Sequence, residues 1–297
     1  MKAGIVLHGK KRHTPALRSR LESLIPKDIH AEFRITTKAK ETIEISRTWS
    51  TEKDLIIVSG GDGTLHEAVN GIMQAKAANP SLNLPVLALL PYGTGNDYAR
   101  MYGWQTGHVE QLADRIRRWQ TIAVDIGKLV RDNQPDLYFI NAIDAGLGAH
   151  VVGYVERMKG SWPTSLVFPV AIVRGILTYR RQAIHWQSEG YTFDGESLTT
   201  VVSLGRSFAD GIVIAPDAGV NDGLFRIARI GKVSLLEYFR FLPALKRGDR
   251  IIHPEVSYFT ATSAELSGNA GVEADGEAAG PLPVRVEIIT GTLRILT

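Results

Sequence analysis

The most informative part of this chain is the stretch Val58-Ser59-Gly60-Gly61-Asp62-Gly63-Thr64-Leu65-His66-Glu67-Ala68-Val69-Asn70-Gly71. The residues just before it, 54–58, form a short apolar and β-branched run, which is typical of a buried parallel strand. After it, apolar side chains recur at helical spacing and share one helix face: Leu65, Ala68, Val69, Ile72 and Met73. The stretch therefore predicts a strand, a glycine-rich turn and a helix.

The predicted turn has the composition of a phosphate site. Its glycines and Thr64 stand at a helix N-terminus, which offers backbone N–H groups and the positive end of the helix dipole. Asp62 is the exception, because a carboxylate repels a phosphate unless a cation or a donated proton lies between them. An ordinary capped turn is the alternative interpretation. The length of the string and its position between strand and helix favour the phosphate site.

Composition bounds the class of protein. The chain has 297 residues, 44% hydrophobic and 22% charged, which is ordinary for a globular protein with one large or two smaller domains. The net charge of +3 is too small to indicate a nucleic-acid partner, and none is expected. The absence of cysteine excludes disulfides, Cys-ligated zinc and thiol catalysis. The first residues predict a core strand and no signal peptide, so a cytoplasmic location is expected.

The order of predicted elements indicates two domains. Strands and helices alternate up to about residue 120, which predicts parallel βαβ units whose ligands bind at the carboxyl ends of the strands. After 182, short alternating strands separated by turn signals dominate, which predicts an antiparallel β-sandwich. We therefore predict an α/β nucleotide-binding domain over 1–124 and a β-rich domain over 125–297, with the active site in the cleft between them.

A second glycine-rich stretch, Pro91-Tyr92-Gly93-Thr94-Gly95-Asn96-Asp97-Tyr98-Ala99-Arg100, also follows an apolar strand. It resembles the P-x-G-T-x-N-D-x-A-R motif of the diacylglycerol kinase catalytic family, in its small bacterial lipid kinase branch. The Gly-Gly-Asp-Gly-Thr string is shared more widely, by sphingosine, ceramide and NAD kinases and by phosphofructokinases. The stretches at 221–225 and 275–277 resemble further motifs of the same family, in the same order.

The resemblance implies an ATP site in the first domain. Backbone amides and the Thr64 hydroxyl would hold the phosphates, and Asp62 would organise Mg²⁺ on them. A threonine after the second strand, Thr37 or its neighbour Thr36, would contact the nucleotide. His66 replaces the usual asparagine and reads equally as a polar contact or as a surface histidine. The full set implied is Thr37, Gly60, Gly61, Asp62, Gly63, Thr64, His66, Thr94, Asn96 and Asp97.

The second domain would carry the catalytic base and a structural metal. Glu277 would accept the proton of the lipid hydroxyl, with Asp275 beside it; taken alone, this pair reads as the solvated end of a hairpin. Asp222 and the carbonyls of Gly219 and Leu224 would bind a structural Mg²⁺; taken alone, 221–223 is a β-turn. Both interpretations stay open for each group.

One departure from the family concerns the end of the first strand. The family usually has Asn-Pro there, whereas this chain has His8-Gly9-Lys10-Lys11-Arg12. Another group must then take the role of the asparagine. One alternative is that the Lys10 side chain contacts the phosphates.

The function implied is an ATP- and Mg²⁺-dependent kinase that phosphorylates the free hydroxyl of a diacylglycerol-like lipid. Such an enzyme meets its lipid at the inner face of the membrane, so peripheral association is expected. The apolar stretch 162–179, followed by Arg180 and Arg181, would either rest on lipid or cover the cleft or the core. An NAD kinase and a catalytically silent lipid- or nucleotide-binding protein are the alternatives, and the 93–97 stretch speaks against the first. The oligomeric state is open, a homodimer included.

Overall fold

The structure is a computed structural model of the chain that describes residues 1–9, 14–162, 164–209 and 211–297. The chain divides into two compact units, one formed by Met1–Ile126 with Thr290–Thr297 and the other by Gly127–Ile289. The C-terminal part of the last strand thus belongs to the first unit, which the sequence pattern did not predict. The reason is a long-range pairing, since Ile295 lies parallel to Leu87 in the sheet of that unit.

The first unit is an α/β domain with a parallel sheet, as predicted. Its strands lie in the order β2-β1-β3-β4 and every neighbouring pair is parallel. The elements are β1 (Lys2–Leu7), α1 (Thr14–Leu24), β2 (His30–Ile35), α2 (Glu41–Trp49), β3 (Leu55–Gly60), α3 (Asp62–Ala78), β4 (Val86–Pro91), α4 (Asp97–Arg100), α5 (Val109–Arg118) and β5 (Thr121–Val130), which continues into the second unit.

The second unit is an antiparallel sandwich, which confirms the predicted fold class. One sheet has the order β14-β13-β10-β7-β16-β17 and the other contains β18-β15-β8-β9. Their facing side chains, including Phe139, Trp186 and Phe225, form one buried cluster. The elements are β6 (Leu137–Phe139), β7 (Ala142–Gly146), α6 (Leu147–Met158), α7 (Thr164–Thr178), β8 (Gln182–Ser188), β9 (Tyr191–Ser197), β10 (Thr199–Ser203), β11 (Ser207–Phe208), β12 (Ile212–Val213), β13 (Phe225–Ile230), α8 (Leu235–Arg247), β14 (Val256–Ala261), β15 (Ser263–Gly268), β16 (Gly271–Ala274), β17 (Glu277–Pro281) and β18 (Val284–Leu296).

Helix α8 is absent from the sequence prediction, although its ends carry local signals. Ser234 caps the helix by accepting a hydrogen bond from the backbone amide of Glu237, and the Glu237 side chain bonds back to the cap. Gly248 ends the helix in the left-handed region, at φ 83°. A capping box before Leu235 and a glycine after Arg247 would have located it.

Helix α7 is apolar on both of its faces. Ala171 and Ile176 are buried, while Leu166, Val173 and Leu177 are 47%, 54% and 70% exposed. The exposed residues recur at i, i+7 and i+11, which places them along one stripe. Within the described ranges, no helix has the length and apolar content needed to span a bilayer.

Candidate functional site

The two glycine-rich loops of the first unit touch each other backbone to backbone. They follow β3 and β4, which are neighbours in the sheet, and the Tyr92 amide donates to the Gly60 carbonyl at 2.7 Å. A Cβ atom at position 61 would lie 2.8 Å from the Cα of Gly93, closer than real side chains allow. Only glycine therefore fits at this contact, and the two predicted loops form one surface at the carboxyl ends of the strands.

The first loop opens directly into α3. Gly61 is the N-cap in extended conformation, and its carbonyl accepts hydrogen bonds from the amides of Thr64 and Leu65 at 3.0 and 3.1 Å. A Cβ at Gly60 would collide with the buried Thr64 hydroxyl. The first N–H groups of a helix have no acceptor within the helix, so this loop presents donors and the positive dipole end together, a geometry that suits phosphate.

Asp62 ties the first loop to the second. Its carboxylate accepts hydrogen bonds from the backbone amides of Asp97 and Tyr98, both at 3.1 Å. The side chain of Asp97 lies close by, since a Cβ at Gly95 would be 3.3 Å from Oδ2 of Asp62 and 3.5 Å from Oδ2 of Asp97. Two carboxylates thus lie beside the glycine loops, and a cation bound between them would relieve their mutual repulsion.

Asn96 shapes the second loop. It adopts the left-handed region at φ 52°, is 5% exposed, and exchanges hydrogen bonds with the backbone of Gly93 at 2.8 and 3.0 Å. Its amide also donates to the Thr106 hydroxyl at 3.0 Å. Thr94, in contrast, is exposed at the tip of the loop. Asn96 therefore fixes the loop and Thr94 faces outward, where a ligand can reach it.

The threonines after β2 are held by local contacts. The Thr37 hydroxyl and amide both bond to the Glu41 carboxylate, and these bonds, with one from the Lys38 amide, lower the pKa of Glu41. The Thr36 hydroxyl accepts a hydrogen bond from the Gly9 amide at 3.1 Å. Lys10 lies outside the described residues, so its predicted reach to the phosphates stays a prediction.

His66 is buried, so its interpretation as a surface histidine is wrong. The ring is 6% exposed, and its Nε2 lies 3.2 Å from the Asn70 amide nitrogen, one turn further along α3. The Asn70 side chain also donates to the His66 carbonyl at 2.9 Å. Because an amide NH₂ group can only donate, the Asn70 side chain donates to Nε2 when the ring proton is on Nδ1.

The second unit carries its acidic motif on the turn between β16 and β17. Asp275 and Gly276 have φ of 50° and 86°, both in the left-handed region, as a two-residue hairpin turn requires. The Asp275 carboxylate accepts hydrogen bonds from the amides of Ile140, Asn141 and Ala142 at 3.0, 2.9 and 3.1 Å. Asp275, predicted as a catalytic residue, therefore anchors the turn to the start of β7.

Glu277 follows this turn and is half-buried. Its carboxylate forms no ion pair or hydrogen bond with the parts of the chain that the structure describes. A carboxylate with that exposure is accessible to an incoming hydroxyl group.

A buried carboxyl pair lies under the same turn. Glu273 and Asp144 are directly opposed on β16 and β7 and are 4% and 2% exposed. Glu273 accepts a hydrogen bond from the Gly276 amide at 2.7 Å, and Asp144 accepts bonds from the Thr199 hydroxyl and from the Gly148 amide at 2.8 Å. Burial raises the pKa of Asp144 to about 6. Burial, and then the charge of Asp144, raise the pKa of Glu273 well above its ordinary range.

The predicted metal residues of the second unit surround an arginine. The Asp222 carboxylate lies 2.6 Å from Nη2 of Arg226, and the Leu224 carbonyl accepts a hydrogen bond from Nη1 of the same guanidinium at 3.3 Å. A Cβ at Gly219 would lie 2.8 Å from the Asp222 carboxylate. Across the described ranges, no group of three or more His, Asp or Glu side chains is arranged to hold a metal ion.

Within the first unit, the structure brings together the predicted residues 60–64 and 94–97, and in the second it brings Asp275 to the turn before Glu277. Sequence reasoning did not single out Glu273, Asp144 or Arg226. An acid between two apolar residues of a buried strand, as in Val272-Glu273-Ala274, was the available signal for the first.

Comparison with known proteins finds two family models that match successive parts of the chain. Residues 5–129 match the family model described as diacylglycerol kinase catalytic domain, and residues 141–297 match the YegS C-terminal NAD kinase beta sandwich-like domain. A diacylglycerol kinase of Staphylococcus epidermidis is 32% identical over 262 residues, covering 86% of this chain and 78% of the relative. One of Bacillus subtilis is 30% identical over 234 residues, covering 78% of this chain and 74% of the relative.

The fold also matches solved structures. A crystal structure of a diacylglycerol kinase from Bacillus anthracis aligns over 99% of this chain and 96% of its own, with a TM-score of 0.69 and 18% identity. Another structure from that organism aligns with a TM-score of 0.77 and 19% identity, over 99% and 97% of the two chains. The family models, the sequence relatives and the two-domain fold agree: the chain belongs to the bacterial branch of the diacylglycerol kinase family, a family of lipid kinases that transfer phosphate to a hydroxyl group.

Proposed function

We propose that the chain uses ATP and Mg²⁺ to phosphorylate the free hydroxyl of a diacylglycerol-like lipid. The contact between Gly61 and Gly93 carries this proposal. It joins two loops at the carboxyl ends of neighbouring parallel strands, in front of the N-terminus of α3, and leaves no room there for a side chain. A surface of this kind binds a polyphosphate through backbone N–H groups.

The residues of the first unit also fit a magnesium ion on the phosphates. Mg²⁺ prefers carboxylate oxygens, phosphate oxygens and water, and Asp62 and Asp97 both lie beside Gly95. When bound, the ion neutralises negative charge on the phosphates. Asp62 would hold it, through water or directly, while the same carboxylate keeps the two loops together.

The second unit contributes the base. Glu277 takes the proton of the lipid hydroxyl as that oxygen bonds to the γ-phosphorus, and the bond from phosphorus to the ADP oxygen breaks. Asp275 and Glu273 hold the turn before Glu277 through four backbone amides. They are positioning residues in this proposal.

A lipid substrate requires contact with a membrane surface, and α7 supports such a contact. Its exposed stripe of Leu166, Val173 and Leu177 lies in a segment, 157–188, that contains no Asp or Glu. The same segment contains Arg157, Lys159, Arg174, Arg180 and Arg181. Apolar side chains flanked by cations suit an anionic lipid bilayer, on which we propose that the protein docks peripherally.

One assay tests the proposed reaction. The full chain is incubated with γ-labelled ATP and Mg²⁺, in one tube with mixed micelles of diacylglycerol, ceramide or monoacylglycerol, and in another with NAD. We expect label in diacylglycerol. Label in NAD alone would show that the sandwich domain serves an NAD kinase, and label in no acceptor would indicate a binding protein without kinase activity.

A further inference from the structure

The second unit contains a segment where the family resemblance implies a metal and the structure places an arginine. This segment, 217–226, leads into β13 and contains Asp222 and the carbonyls of Gly219 and Leu224, the three expected magnesium ligands. Whether these residues fit a divalent cation depends on what already contacts them.

Arg226 contacts two of the three expected ligands. Its Nη2 lies 2.6 Å from the Asp222 carboxylate and its Nη1 donates to the Leu224 carbonyl at 3.3 Å. The same guanidinium donates to the Asp217 carbonyl at 3.2 Å and lies 3.4 Å from the Asp217 carboxylate. The Arg226 side chain is only 14% exposed, so the charge lies inside the segment.

The other charges of the segment are balanced in the same way. Arg250 pairs with the Asp217 carboxylate at 3.0 Å, and Arg206 donates to the Ala218 carbonyl at 3.2 Å. Every acidic side chain between 217 and 226, namely Asp217 and Asp222, thus contacts a guanidinium. A divalent cation would meet a fixed positive charge at the carboxylate that it needs.

The two kinds of cation differ in what they require. Mg²⁺ needs near-octahedral oxygen ligands at about 2.0–2.1 Å and gives up its water reluctantly. A guanidinium is always charged and offers five donors in a fixed plane, so one arginine can bridge carboxylates and carbonyls without losing a hydration shell. The residues as placed do not fit a bound Mg²⁺.

We infer that Arg226 takes the place of a divalent cation in this segment, and that its guanidinium holds 217–224 against the start of β13. The inference does not depend on the proposed reaction, because it concerns a structural contact and not the phosphate site. It predicts that the second unit is independent of metal, unlike a protein whose loop closes around Mg²⁺.

The test uses the full chain after dialysis against EDTA, without nucleotide. The readouts are thermal unfolding and hydrogen exchange of a peptide covering 217–226, each measured at zero and at 10 mM Mg²⁺. In the wild type we expect Mg²⁺ to leave the exchange of this peptide unchanged. Exchange is local to the segment, so Mg²⁺ bound in the first unit does not affect the result.

Two variants distinguish stabilisation of the segment by Arg226 from stabilisation by bound Mg²⁺. Arg226→Met should lower the Tm by about 5 °C and speed exchange of the 217–226 peptide, and 10 mM Mg²⁺ should slow that exchange again because Asp222 is released. The double variant Arg226→Met with Asp222→Asn should lose this response to Mg²⁺. Arg247→Met is the matched control, since Arg247 pairs with Asp249 on the surface at 65% exposure.

Two results would overturn the inference. One is slower exchange of the wild-type peptide with Mg²⁺, abolished by Asp222→Asn. The other is Arg226→Met exchanging at the wild-type rate. If Arg226→Met does not fold, the Mg²⁺ titrations of the wild type and of Asp222→Asn decide the matter alone. A kinase assay that fails would leave this inference standing, because none of these readouts involves turnover.

Discussion

The carboxylate of Asp62 accepts a hydrogen bond from the backbone amide of Tyr98 at 3.1 Å, across a separation of 36 residues in the chain. The Asp97 amide also donates to this carboxylate, so Asp62 joins the two glycine loops to each other. Asp62 therefore has a structural task in addition to the proposed task of organising Mg²⁺.

Asp62→Asn tests both tasks. Asparagine retains one acceptor but turns an NH₂ group toward an amide donor, so we expect the second loop to shift and kcat/KM for ATP to fall by roughly 100-fold or more with every lipid. Steady-state kinetics at saturating lipid measures this. Asp114→Asn is the control, because Asp114 is a surface residue of the same unit, 57% exposed and paired with Arg117. A defect confined to one lipid would contradict a role on the nucleotide side.

Glu277→Gln tests the base. The side chain keeps its size but accepts no proton, so kcat should fall by about 10²- to 10⁴-fold. ATP binding, measured by calorimetry, and the Tm should stay within error of the wild type. Glu265→Gln, an exposed change on β15 of the same unit, should leave kcat unchanged. If Glu277→Gln turns over near the wild-type rate, another group takes the proton.

Glu273→Gln tests the buried carboxyl pair through pH. Burial raises the pKa of Asp144 to about 6, and burial with the charge of Asp144 raises the pKa of Glu273 well above its ordinary range. At these two groups the folded unit therefore binds protons more tightly than the unfolded chain does. The contribution of these two groups to stability is therefore largest at low pH and falls as the pH rises through 4 to 6 and beyond, by about 1.4 kcal/mol for each unit of pKa difference. Because glutamine cannot ionise, the Tm of the variant should fall much less between pH 5 and pH 8 than the Tm of the wild type.

Thermal unfolding across that pH range gives the answer. Glutamine still accepts a hydrogen bond from the Gly276 amide, so the turn before Glu277 should be kept and the variant should fold. The Tm of Glu265→Gln should change with pH in the same way as the Tm of the wild type. If the Tm of Glu273→Gln changed with pH as the Tm of the wild type does, ionisation of Glu273 would not be what destabilises the folded unit.

A double change on α7, Val173→Glu with Leu177→Glu, tests membrane docking. Both side chains are more than half exposed, so the Tm should not change, but two carboxylates on the apolar stripe should repel an anionic surface. We expect at least about a 10-fold loss of binding to phosphatidylglycerol vesicles in a sedimentation assay. Ile252→Glu, at a position 99% exposed on the same unit, should bind as the wild type does. Equal binding by all three proteins would remove α7 as the docking surface.

The local pattern of apolar residues was sufficient to predict many of the strands and helices of the first unit. The apolar run before Gly60 and the helical spacing after Thr64 predicted β3 and α3, and parallel order placed both glycine loops at one edge. What the pattern could not predict is the direct contact of Gly61 with Gly93, because it depends on the distance between strands and not on either loop alone.

The features that the sequence pattern did not predict were missed for physical reasons. Helix α8 was overlooked because its apolar residues lie among strands of similar composition, although Ser234 and Glu237 marked its start. The pairing of Asp275 with the amides of 140–142 joins segments more than 130 residues apart, which no spacing rule detects. The role of Arg226 was hidden for a similar reason, since a motif shows an aspartate but not the cation that contacts it.

The return of residues Thr290–Thr297 to the first unit bears on how the protein folds as it is made. Arg115, buried on α5, donates hydrogen bonds to the carbonyls of Leu89 and Leu296 and so clamps this late strand to β4. During synthesis, the ribosome releases β1 to β5 and then the residues of the second unit, up to Ile289, before it releases Thr290–Thr297. The first unit can therefore complete its sheet only after the second unit has emerged, which makes it the later of the two to mature and a poor candidate for expression as an isolated fragment.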